Sequence, residues 1–239
     1  MSISRVPRRQ LLTDGVYAEL RELVVRSAIP PSSRLNIEEL ARTMDVSPTP
    51  VREALARLES DNLVTKLPLK GYVTTDLYSQ DEIRDLYELR LLLEVPSAGR
   101  AAKLATETQI TELMGEIALG RNIPEDPATY RSLIDHDARF HSLVLAIAGN
   151  EAIRRAYEGT HCHLHLYRLS NKAAAGETTH ADIGDAIRNS DSLGAAESMR
   201  AHLTQARDRT LSNMSAADSL IPEVLASESL VAPGLNEEG

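Results

Sequence analysis

The chain is 239 residues long with a formal net charge of −9, 42% hydrophobic and 26% charged residues, one cysteine (Cys162), one phenylalanine (Phe140) and no tryptophan. No stretch approaches the ~20 consecutive apolar residues of a membrane span, the N-terminus lacks the apolar core of a secretory signal, and a lone cysteine excludes an internal disulfide framework, so a cytoplasmic protein of two compact domains is expected. The charge is uneven: residues 1–75 carry 11 Lys and Arg against 9 Asp and Glu and the remainder 15 against 26, which suits a weakly basic, nucleic-acid-binding head on an acidic body.

In chain order, Val16, Leu20, Leu23 and Val24 recur at helical spacing and predict a helix ending before Pro30-Pro31. Asn36 followed by Glu39 is a capping signal for a short helix carrying Ile37, Leu40, Ala41 and Met44. Ser47 is a good N-cap and Pro48 a good first residue for a third helix, whose buried stripe is Val51, Ala54, Leu55 and Leu58. The run 63–67, a turn at Pro68-Leu69-Lys70-Gly71, and Tyr72-Val73-Thr74 predict a two-stranded hairpin.

Helix, short helix, turn, helix, hairpin is the winged helix-turn-helix order, and it bounds a first domain at 1–75. The helix after the turn can enter a major groove with its N-terminal residues at base edges. Ser47, Thr49 and Arg52 are the candidates there, and Lys70 with Gly71 at the wing tip can approach phosphate. A solvated helix face is the plainer alternative for any one of them. The segments SPTPVREALARLESDNLV and KLPLKGYVT resemble the DNA-binding head of the GntR family of regulators over about residues 11–75. Two positions depart from that pattern. Pro48 stands where an Arg is common, and Asn62 replaces the usual Gly after the recognition helix.

From Thr74 onward only helices are predicted, so the fold class is mainly α. A Ser79–Glu82 capping box opens a helix to about Leu104, with a kink or break expected at Pro96. Further helices are expected over 106–120, 127–149, 151–171, 178–190 and 192–214, giving an all-helical second domain at 76–214 of about six helices. Residues 215–239 contain no Lys or Arg and predict a disordered acidic tail. Arg90 lies on the same stripe as Ile83, Leu86 and Tyr87, so it needs a buried partner, either Glu94 or a ligand carboxylate.

Four residues point from apolar faces toward the bundle interior. Asp137 and His141 are four apart; His180 shares a stripe with Ile183 and Ile187, and His202 with Ala195 and Met199. One carboxylate and three imidazoles suit a divalent ion such as Zn²⁺, Ni²⁺ or Mn²⁺ with open positions; hydrogen-bonded core histidines are the alternative. DARFHSLVLAIAGN and HADIGDAIRNSDSLGAAESMRAHL resemble the FCD ligand-binding domain over about residues 79–212. The resemblance to its metal-binding branch implies that Asp137, His141, His180 and His202 hold the metal. It also implies that the metal helps bind a small carboxylate effector, and that two such domains pair as a homodimer on a palindromic double-stranded operator.

His161, His163 and His165 cluster near Arg168. His161, His165, Arg168 and Arg90 are candidate effector contacts, with a polar lining or a dimer surface as the plainer reading for the histidines. The regulator reading competes with two others: a metal-dependent hydrolase built on the helical domain, and an architectural DNA-binding protein that responds to no ligand.

Overall fold

The computed structural model describes residues 8–68, 71–123, 130–169 and 179–228. The head comprises α1 (Arg8–Val25), β1 (Arg34–Leu35), α2 (Ile37–Thr43), α3 (Pro48–Ser60), β2 (Val64–Leu67) and β3 (Gly71–Thr74). Leu20, Leu55, Leu58 and Leu63 are fully buried at its centre, because the 3.6-residue period puts the apolar positions of α1 and α3 face to face. Asn36 caps α2 by accepting from the backbone N–H of Glu38 and of Glu39.

The hairpin is wider than the sequence predicts. β1 adds to it, so the antiparallel order is β1-β3-β2, with Arg34 opposite Val73 and Lys66 opposite Tyr72. Two residues give too short a pattern for alternation to reveal. Asn62 takes the left-handed conformation (φ 58°) after α3, which an asparagine tolerates without a glycine's freedom.

The body is helical: α4 (Gln80–Leu104), α5 (Glu107–Arg121), α6 (Tyr130–Ile147), α7 (Glu151–Glu158), α8 (Cys162–Leu169), α9 (Thr179–Arg188) and α10 (Ser192–Glu228). Capping boxes at Ser79–Glu82 and Thr106–Gln109 open α4 and α5. The core is formed by Ile83, Leu113, Ile117, Phe140, Val144, Ile183, Ile187, Met199 and Leu203, with α10 packed along α4.

Three expectations are corrected here. The break allowed at Pro96 does not occur, and α4 runs on through that residue. The single helix expected over 151–171 is two, α7 and α8: Gly159 caps α7 and His161 adopts φ 46°, which no continuing helix permits. α10 continues to Glu228 instead of stopping near residue 214, running on through Pro222. Residues 229–239 of the expected tail lie outside the described residues.

Head and body share a packed junction. Ile134 of α6 and Leu164 of α8 are buried in the same apolar cluster as the head's own core. Arg21 of α1 meets Asp135 of α6 at 2.5 Å.

Candidate functional site

On the head, Ser47 takes the N-cap position of α3, but its hydroxyl makes no capping bond, and Pro48 brings no N–H. Ser47, Thr49 and Arg52 are all exposed at that helix start. Arg52 leans on Glu38 at 3.3 Å in an exposed pair, an attachment worth at most about 1 kcal/mol and easily exchanged for another anion. Gly71, at the start of β3, has φ 82°, which a residue with a Cβ adopts only under strain. Lys70 lies outside the described residues.

Inside the body, α6, α9 and α10 bring Asp137, His141, His180 and His202 together, with one donor atom from each lying within 4.8 Å of all the others. Asp137 Oδ1 is 3.7 Å from both His141 Nε2 and His180 Nε2, and His141 Nε2 is 3.2 Å from His202 Nε2. Two imidazole lone pairs facing each other at that distance repel unless a proton or a cation lies between them. His180 Nε2 is buried with no hydrogen-bond partner. Burial, then repulsion from His202 and His141, pushes the His180 pKa well below its usual value. Burial and His141 likewise bring His202 down to about 3. Both rings are therefore neutral at physiological pH, the form that ligates a metal.

Glu94 supports the cluster from behind. Its Oε2 is 2.5 Å from His141 Nδ1, and its Oε1 is 2.6 Å from Arg90 Nε. With its proton on Nδ1, against this carboxylate, His141 would turn the Nε2 lone pair toward the cluster, the usual arrangement behind a metal-bound imidazole. Burial opposes ionisation of Glu94, but Arg90 and His141 overcome it and hold the carboxyl at about 2. Arg90 therefore has the intrahelical partner, and in addition its Nη2 comes within 3.2 Å of His141 Nε2. An unpartnered buried nitrogen, neutral imidazoles at His180 and His202 and an oxygen–nitrogen donor set fit a divalent transition metal.

His161, His165 and Arg168 are engaged elsewhere, at the head–body junction. His161 faces Asp61 of the head at 3.7 Å. His165 stacks on Tyr78 with ring centroids 4.5 Å apart. Arg168 donates from Nη2 to the carbonyl of Thr75 at 2.6 Å and from Nη1 to its hydroxyl at 2.8 Å, gripping the segment between the domains. The break between α7 and α8 is the physical reason, since a period counted across it aims these side chains wrongly.

Sequence reasoning missed His136 and Glu116. His136 Nδ1 is 2.8 Å from Glu116 Oε1, and His136 Nε2 is 3.3 Å from His180 Nδ1. One signal was present: His136 lies one helical turn before Phe140, a fully buried residue whose ring stacks on His180 at 3.8 Å.

Comparison with known proteins agrees with this two-part architecture. The family model for bacterial regulatory proteins of the gntR family matches residues 12–73, and that for the FCD domain matches residues 85–205. The chain is 23% identical to the uncharacterized HTH-type transcriptional regulator YdhC of Bacillus subtilis, across 78% of this chain and 85% of that one. It is 25% identical to the HTH-type transcriptional repressor RspR of Escherichia coli, across 82% and 87%. In fold it is similar to a GntR transcriptional regulator from Rhodococcus (TM-score 0.64, 20% identity, 84% of this chain and 97% of that one) and to E. coli McbR/YncC (TM-score 0.61, 20% identity, 85% and 98%).

Proposed function

Because the chain belongs to the GntR family of bacterial regulatory proteins and carries an FCD domain, and is thus a transcription regulator and not an enzyme, we propose that its hold on DNA is set by a small organic acid bound beside a divalent metal ion in the body. Asp137, His141, His180 and His202 hold the ion, and Zn²⁺ suits this donor set best. The observation that carries the reading is the cluster itself, with its donor atoms within 4.8 Å and a bare buried His180 Nε2. When bound, the ion supplies positive charge at which a carboxylate oxygen is stabilised. Arg90, already oriented by Glu94, offers guanidinium N–H groups to the same anion.

On the head, Ser47, Thr49 and Arg52 enter the major groove, while Gly71 lets the wing tip bearing Lys70 approach the backbone. Regulators of this family bind DNA and usually act as dimers, and the weakly basic head makes pairing on a palindromic operator the natural arrangement. Half-sites must fall on a fixed spacing, so a modest change in head orientation weakens simultaneous engagement.

The test joins both halves. Purified protein is assayed for bound metal, and its affinity for DNA from upstream of its own gene is measured with and without a panel of small mono- and dicarboxylates. We expect metal in the wild type and its loss in His202→Ala, with an acid that shifts DNA affinity about fivefold or more, the usual range of coupling, and no longer does so after chelation. Metal content unchanged in both His180→Ala and His202→Ala overturns the assignment.

A further inference from the structure

A second polar chain runs from α5 through α6 and ends on one of the four candidate ligands. Glu116 of α5 takes His136 Nδ1 at 2.8 Å on one oxygen and Arg139 Nε at 3.0 Å on the other. His136 then reaches His180 Nδ1 through its Nε2 at 3.3 Å. Glu116 and His136 are each 8% exposed, so water does not compete freely for these positions.

The chemistry of the end group sets the direction of the first bond, and a neutral His136 passes it on to the second. A carboxylate only accepts, so His136 donates from Nδ1. A neutral imidazole that donates from Nδ1 presents a lone pair at Nε2. Facing that lone pair, His180 donates from its own Nδ1, which leaves its Nε2 lone pair toward Asp137 Oδ1 at 3.7 Å, an approach that a cation between them relieves. Packing holds the rings in this pose. Phe140 stacks on His180, and Gly120 leaves room for His136: a Cβ at position 120 would stand 2.1 Å from His136 Nε2 and 2.2 Å from its Cε1.

We propose that Glu116 and His136 are positioning residues that lock His180 in its Nδ1–H tautomer with Nε2 aimed at the metal centre. Through this link α5, which contributes no ligand, sets the strength of one. The metal consequence rests on the function proposed above, whereas the tautomer lock is a property of the metal-free chain.

The closing experiment reads the two separately on the full chain. Long-range proton–nitrogen correlation spectra of chelated protein near neutral pH, with the His180 signal assigned from His180→Ala, report its tautomer. Zinc affinity is measured by competition with a chromophoric chelator. We expect the Nδ1–H form in the wild type and in His136→Gln, whose amide can accept and donate in the same places. We expect its loss in His136→Leu, together with zinc binding weaker by about 10- to 100-fold, the usual effect of removing a partner behind a ligand. Gly120→Ala removes no polar group but pushes the His136 ring away, so it should weaken zinc binding in the same direction even if His136→Leu folds poorly. An Nε2–H form of His180 in the wild type overturns the lock, as does zinc affinity unmoved in both His136→Leu and Gly120→Ala. A wild type with His180 in the Nδ1–H form that binds no zinc upholds the lock and defeats only the metal reading.

Discussion

His165 is 3% exposed, and burial, followed by the nearby Arg168 charge, pulls its pKa down to about 4. In the unfolded chain the same ring titrates near its ordinary value of about 6.5. As pH falls, the unfolded chain therefore takes up the proton first. The stability His165 contributes is fully present above about pH 6.5, drains away as pH falls toward 4, and amounts to about 2 kcal/mol lost by pH 5. Denaturant titrations of wild type and His165→Phe at several pH values check this. The phenylalanine keeps the Tyr78 stack, so its curve should lose this part of the acid sensitivity, and parallel curves would refute the assignment. Legibility at this scale divides cleanly. That Arg90, His141, His180 and His202 point inward follows from helical spacing alone. That Glu94 serves both Arg90 and His141, or that Glu116 reaches His136, depends on how separate helices cross, which no local pattern encodes.

Among the elements, capping residues and apolar stripes made α1 to α6, α9 and the start of α10 readable, because the forces that define them act within a few residues. The division of α7 from α8 was not readable, because a glycine and a left-handed histidine interrupt the helix without proline or a polar run. α9, which carries His180, owes its position to a close approach that a glycine allows. A Cβ on Gly184 would lie 2.3 Å from Ile117 Cδ1 and 3.3 Å from Met114 Sδ, both on α5. In an open helix Gly→Ala stabilises by up to about 1 kcal/mol. Here Gly184→Ala should instead destabilise by about 1–3 kcal/mol through overpacking and weaken metal binding by shifting His180. Thermal unfolding gives the sign directly, and a raised Tm would show that the two helices have slack between them.

Across the whole molecule, α6 is the part that belongs to both domains. It carries Ile134 and Asp135 against the head, and within its next two turns Asp137 and His141 in the centre. A displacement of α6 at the centre would reach Arg21 on α1 through this contact, which joins residues 114 apart in sequence and lies beyond the reach of any sequence pattern. Arg21→Ala removes a half-buried ion pair and should cost no more than about 1 kcal/mol of stability. Its larger effect should be on regulation, with DNA affinity close to wild type but a reduced shift on adding the effective acid. Arg26→Ala, which removes an exposed pair with Glu22 inside α1, serves as the control. Equal acid responses in the two variants would dispose of this route. Electroneutrality carries the buried centre one step further. Arg90 brings one positive charge there, and Glu94 and Asp137 two negative ones; a divalent cation turns that small deficit into a small excess. An excess charge held largely out of water is expensive, so a metal bound there would create demand for a counter-ion. On the function proposed above, the body would bind its cation and its anion as a pair, each raising the affinity for the other, and a gene under its control would answer to the product of two concentrations instead of to either one.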